Sequence, residues 1–205
     1  TSMFVPLHRD DEDSIAVHEE IRSKYGGSRL LLAVGRLAAR KGYGLLLRAF
    51  ANVHSSDPQT RLVIVGRGHL RSRLQRQARA LGVADAVTIE SGMPFEELAA
   101  LFRSADLVVY PSYYEGQGLI PLEAMASGTP VVTVDHGPLP EMVDESVGRL
   151  FVMGDPDSMA GAIMAELANP EKLQEKGETG RHRVLEKFTF EHDAECFEAI
   201  YERAE

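Results

Sequence analysis

The sequence holds a single cysteine, Cys196, among 205 residues. One thiol excludes an internal disulfide, and without CxxC or Cys/His ligand spacing there is no cysteine-based metal site. No apolar run approaches the ~18 residues that a bilayer-spanning helix needs. No internal repeat, low-complexity tract or signal-peptide pattern is present, so a cytoplasmic protein is expected. Positive charge is also short: 22 Lys and Arg against 31 Asp and Glu leave a net charge of −9. Such a chain is a poor general nucleic-acid binder, because phosphate neutralisation supplies most of that affinity. What it does have is apolar material, 44 % of residues, enough for a sizeable core in one large domain or two small ones.

Along the chain, apolar runs alternate with amphipathic stretches. Residues 1–14, with Val5-Pro6 and the acidic run Asp10–Asp13, read as an exposed linker, and Ile15–Tyr25 as a helix ending at Gly26-Gly27. Leu30–Val34, Arg61–Val65, Val87–Glu90, Leu107–Tyr110, Val131–Val134 and Gly148–Val152 read as strands. The first is continuous enough to be buried on both faces of a parallel sheet. Helical spacing is predicted over 43–54, 69–81, 95–103, 156–168, 170–187 and 190–204. On the 69–81 helix, Arg71, Arg73, Arg76 and Arg79 lie off the apolar stripe and read as a solvated face, or as a contact for an anionic membrane surface. Asp155-Pro156 reads as a helix cap with proline in the first turn rather than as half of a metal-binding Asp155-x-Asp157 pair. Strands alternating with helices at roughly 25-residue spacing imply one α/β, Rossmann-like, doubly wound parallel sheet.

The chemistry concentrates in Tyr110-Pro-Ser-Tyr-Tyr-Glu115-Gly-Gln-Gly118-Leu-Ile-Pro-Leu-Glu123-Ala-Met-Ala-Ser-Gly128-Thr-Pro-Val-Val. It reads as strand, glycine-rich loop, helix with Pro121 in its first turn, and strand. Gly116 and Gly118 let backbone approach a ligand closely, and the free amides at the helix start suit phosphate. Ionised carboxylates accept hydrogen bonds only, so Glu115 and Glu123 need hydroxyl donors, as on a sugar diol. Either glutamate alone reads as a solvated residue; together, framing a glycine loop, they suggest a nucleotide sugar. Upstream, Gly35-Arg36-Leu-Ala-Ala-Arg40-Lys41-Gly42 leaves the end of the first strand, where ligands of open α/β sheets gather. A guanidinium fork and an ammonium point charge there can neutralise a diphosphate.

At these residues the chain resembles the donor-binding, C-terminal domain of retaining GT-B glycosyltransferases, in the glycosyltransferase group 1 (GT4-like) family. Glu115-x7-Glu123 followed by Ala-Met-Ala-Ser-Gly-Thr-Pro-Val-Val matches the family's paired-glutamate signature. The match has one departure: Gln117 stands where the family most often has Phe. The "GRL…KG" element around Arg36 and Lys41, the partial Gly137-Pro-Leu-Pro-Glu141 match and Phe188-Thr-Phe190-Glu191 are similar as well.

The resemblance implies that Arg36 and Lys41 bind the donor pyrophosphate, Glu115 the donor sugar and Glu123 the ribose hydroxyls, with Arg36, Lys41 and Glu115 as catalytic residues. It places Gly35, Gly66, Gly68, Gly92, Met93, Gly116, Gln117, Gly118 and Leu119 around the donor, with Gly92 and Met93 near the base. No metal and no cofactor are expected. His136 reads as a solvated loop residue, not a base. The implied division is 1–28 linker and leading helix, 29–188 donor-binding domain, and 189–205 a helix packing on an N-terminal acceptor domain outside this chain. The expected partner is an NDP-sugar (a UDP-, GDP- or ADP-linked hexose), with peripheral membrane contact through the other domain or a basic surface. The expected function is hexosyl transfer to an acceptor, this half alone having little or no turnover. The alternatives are a non-catalytic nucleotide-sugar-binding module or split subunit and, on the same fold, an NDP-sugar epimerase.

Overall fold

The computed structural model describes residues 12–189 together with 192, 194, 198 and 201. Six strands, β1 (Arg29–Val34), β2 (Thr60–Val65), β3 (Val87–Glu90), β4 (Leu107–Tyr110), β5 (Val131–Val134) and β6 (Gly148–Phe151), form one sheet. All pair in parallel, in the order β3-β2-β1-β4-β5-β6. Leu30, Leu31, Leu32 and Ala33 are all fully buried, with no alternation, because helices cover both faces of β1.

Those helices are α1 (Glu12–Tyr25), α2 (Tyr43–Ser56), α3 (Arg71–Ala80), α4 (Phe95–Ser104), α5 (Leu119–Ala126), α6 (Leu139–Met142), α7 (Pro156–Leu167) and α8 (Pro170–Lys187). α2 packs against α3 and α7 in one layer; α1 packs on α4, and α5 on α4 and α8, in the other. No helix among the described residues is long and apolar enough to cross a membrane.

The strand–helix alternation matches the sequence pattern, with three local differences. α1 begins at Glu12, inside the segment expected to be linker. The short α6 forms where a loop was expected, with Pro140 in its first turn. Arg71 is not on a solvated face: it turns back to donate to the Ile89 carbonyl at the end of β3. The Asp155 side chain accepts from the amides of Asp157 (2.8 Å) and Ser158 (3.0 Å), which commits it to capping α7. The helix expected over 190–204, with Phe190, Glu191 and Cys196, lies largely outside the described residues, as does the segment around Val5-Pro6.

Candidate functional site

In the order 3-2-1-4-5-6 the chain leaves β1 toward one edge of the sheet and returns to β4, beside β1, to build the other. The crevice between the carboxyl ends of β1 and β4 is the topological switch point, where open α/β sheets bind ligands. Two loops meet there. The first, after β1, makes a tight 3-10 turn over Ala39–Lys41 and enters α2 through Gly42, whose φ is 71°. The second, after β4, runs Pro111–Gly118 into α5. They are zipped together by two hydrogen bonds: Tyr113 N–H donates to the Arg40 carbonyl at 2.8 Å, and Arg40 Nη1 donates to the Tyr114 carbonyl at 3.2 Å.

This zipper brings together two residues 74 positions apart. Lys41 Nζ forms an ion pair with Glu115 Oε1, and both side chains are close to nine-tenths buried. Lys41 also donates to the Tyr110 hydroxyl at 2.9 Å, and Ser112 Oγ bonds the same Glu115 oxygen. Burial alone would raise the proton affinity of Glu115. The hydrogen bonds from Lys41, Ser112 and Tyr110, with the lysine charge, outweigh it and hold the carboxyl below its ordinary range. The Tyr110 and Tyr43 phenols are pushed far up, first by burial and then by the Glu115 carboxylate, so both remain protonated donors. The result is a fixed anion–cation pair in which one carboxylate oxygen, Oε1, takes the hydrogen bonds from Lys41 and Ser112.

The remaining candidates are distributed around this pair. Gly35 and Arg36 leave β1 directly; Arg36 is exposed and makes no side-chain hydrogen bond or ion pair among the described residues. Gly116, Gln117 and Leu119 are exposed on the second loop, and a Cβ on Gly116 would meet nothing within 4 Å. Gly118 caps α5 at φ 80°, and a Cβ there would come within 2.8 Å of Leu139, so only glycine fits that corner. No side chain caps α5, which leaves its first amides for another acceptor.

Glu123 stands one turn into α5, half-buried and without a partner among the described residues. Burial accordingly raises its pKa. Gly66 and Gly68 have a packing reason to be glycine: Cβ atoms there would lie 1.9 Å from the Gly35 carbonyl oxygen and 2.4 Å from that of Leu37. Gly92 and Met93 follow β3, two strand spacings, ~10 Å, from β1. His136 is exposed beyond β5.

Sequence reasoning missed Tyr110, Ser112 and Tyr43. Tyr110 closes an apolar strand and Ser112 sits in what reads as a turn; neither carries a local signal of the carboxylate it serves. Arg40, which matches no ligand-binding position, has its role in tying the two loops.

The family profile described as "Glycosyl transferases group 1" matches residues 15–183. A GDP-mannose-dependent alpha-(1-6)-phosphatidylinositol monomannoside mannosyltransferase from Mycolicibacterium smegmatis is 36 % identical over 198 residues, covering 92 % of this chain and 50 % of that protein. The chain thus spans about half the length of the curated relatives it matches. Among solved structures, sucrose-phosphate synthase from Thermosynechococcus elongatus superposes with TM-score 0.82 at 30 % identity, over 99 % of this chain and 50 % of that one. The C-terminal domain of a glycosyl transferase group 1 family protein from Francisella tularensis has TM-score 0.80 at 22 % identity. It covers 92 % of this chain and 97 % of its own, a likeness of fold.

Proposed function

The chain belongs to the glycosyl transferases group 1 family, and from that membership we propose that it is the donor-binding half of a retaining glycosyltransferase that takes a hexose from a nucleoside diphosphate sugar. The observation that carries this reading is the Lys41–Glu115 pair at the switch point, with Arg36 exposed on the loop that carries Lys41 and lacking any acidic partner among the described residues. A structural ion pair would have no need of a second, unneutralised cation on the same strand end. A diphosphate would use both.

In this reading Arg36 and Lys41 receive the negative charge that develops on the departing diphosphate, and electrostatic stabilisation of this kind usually contributes more to such catalysis than any other effect. Lys41 is held at its post by Tyr110 and Glu115, so little reorganisation accompanies the reaction. Glu115, kept ionised, accepts from a hexose hydroxyl through its remaining lone pairs. The α5 amides donate to phosphate or sugar oxygens, Glu123 accepts from the ribose diol, and the loop at Gly92 and Met93 lies beside the base. The acceptor half lies outside this chain, so the chain alone binds donor and turns it over slowly or not at all. GDP-mannose is the first donor to try, since a relative at 36 % identity is named for it.

Calorimetric titration with GDP, UDP and ADP, and then with the corresponding sugars, tests the reading. One nucleoside diphosphate should bind, Lys41→Ala and Arg36→Ala should each weaken it at least tenfold, and added salt should weaken it further. Failure of all three to bind at millimolar concentration, or affinity indifferent to both substitutions, would overturn the proposal.

A further inference from the structure

The opposite end of the sheet holds a second concave site. Six residues of β1, ~20 Å at ~3.3 Å per residue, separate it from the Arg36 end. A cavity of about 380 Å³ opens at the amino ends of β1, β4 and β5, walled by α1, the end of α4 and the first turn of α8. That volume falls within the ~300–1,000 Å³ of small-molecule sites.

Its lining is cationic and under-partnered. Arg22 pairs with Asp106 at 2.9 Å, and the same Asp106 oxygen accepts from the Leu30 amide at 2.6 Å, which ties that carboxylate down. The side chains of Arg29 and Arg103, both half-buried, make no hydrogen bond or ion pair among the described residues. The only other acid in the lining among the described residues, Glu171, is exposed in the first turn of α8. Ser104 is 1 % exposed, and its Oγ has no hydrogen-bond partner among the described residues; the same holds for His18 Nδ1 and Arg22 Nε.

Unpaired buried polar groups are rare and cost about 1–3 kcal/mol each, and the three residues that carry these line one cavity. Water could satisfy the hydroxyl and the imidazole, but it does not neutralise two guanidinium groups. An oxyanion does both, accepting forked hydrogen bonds from arginine and single bonds from serine and histidine.

We propose that this cavity binds a phosphate-bearing anion, a soluble phosphate monoester, held by Arg29 and Arg103 with Ser104 and His18 completing its hydrogen bonds. Burial lowers the pKa of Arg103, as expected of a guanidinium withdrawn from water without a counter-charge. The amino end of α8 adds its partial positive charge at the rim.

The test is thermal unfolding of the whole chain in inorganic phosphate against sodium chloride of equal ionic strength. A Lys41→Ala background weakens phosphate binding at the carboxyl edge at least tenfold. Phosphate should still raise the melting temperature, and adding Arg29→Ala with Arg103→Ala should weaken the apparent affinity at least tenfold. Ser104→Ala guards against simple misfolding: without phosphate it should melt at the same or a higher temperature, because an orphaned hydroxyl is gone, yet its phosphate-dependent gain should shrink severalfold. An undiminished gain in the double arginine variant, or no gain in the Lys41→Ala chain, would overturn the proposal. Sedimentation with phosphatidic acid vesicles through Arg103, without a response to free phosphate, would overturn the soluble source.

Discussion

At Glu115, burial raises proton affinity but the donors around the carboxylate more than reverse it; at Glu123, burial acts unopposed. Glu115 therefore adds stability above the ordinary pKa of 4.5, and loses it as pH falls through its depressed folded value. Glu123 does the reverse. The folded chain holds its proton more tightly than the unfolded chain, so its carboxylate costs stability as pH rises from 4.5 through the raised value, and in full beyond it. Glu123→Gln should raise stability at pH 7 by about 1 kcal/mol, a melting shift of ~2–4 °C, and give almost no gain at pH 4. Thermal melts at the two pH values check this, and equal gains would remove the desolvated charge as the cause. The same variant should erase any preference for GDP over 2′-deoxy-GDP if Glu123 holds the ribose diol. Lys41 and Glu115 were legible as candidates because charged residues beside glycines at strand ends are an informative local pattern. Tyr110 was not, because its lysine lies 69 positions away and nothing near either residue announces the other.

Glycine separates local propensity from packing at the scale of the element. Gly161 in α7 and Gly177 in α8 both occupy helix interiors, where propensity alone favours alanine by ~1 kcal/mol. A Cβ on Gly161 meets nothing within 4 Å, so Gly161→Ala should stabilise by about 0.5–1 kcal/mol. A Cβ on Gly177 would lie 2.0 Å from the Gly128 carbonyl oxygen, and Gly180 sits one turn on against Met125, so α8 can rest on α5 only through glycines. Gly177→Ala should therefore destabilise by about 2 kcal/mol or more, the sign reversed by overpacking. Urea unfolding of the two variants decides it; two gains would mean that α8 yields freely. Because α5 supplies Glu123 and the uncapped amides, Gly177→Ala should also weaken nucleotide binding without touching the site.

Across the whole molecule, the far edge of the sheet is fastened by a buried charge. Glu166 of α7, 4 % exposed, accepts from Arg149 of β6 at 2.9 Å and from Lys176 of α8 at 2.8 Å. Removing the shared anion strands both cations. Glu166→Gln should cost about 2 kcal/mol, less than the ~3–5 kcal/mol of a pair sealed from water because Arg149 is 37 % exposed. The urea midpoint should fall with an unchanged slope; an unaltered midpoint would show that the three elements hold without it. By itself the sequence determined the alternation of strands and helices, the two loops that carry chemistry and the kinds of group they present. Those follow from periodicity, turn residues and charge within a few positions of one another. Only the tertiary structure decided that Lys41 meets Glu115, that Gly66 and Gly68 serve packing, and that Arg29 and Arg103 share a cavity with Ser104, whose hydroxyl has no partner among the described residues. Each depends on which strand returns beside β1, and a parallel crossover sets that through the core it closes rather than through any local pattern.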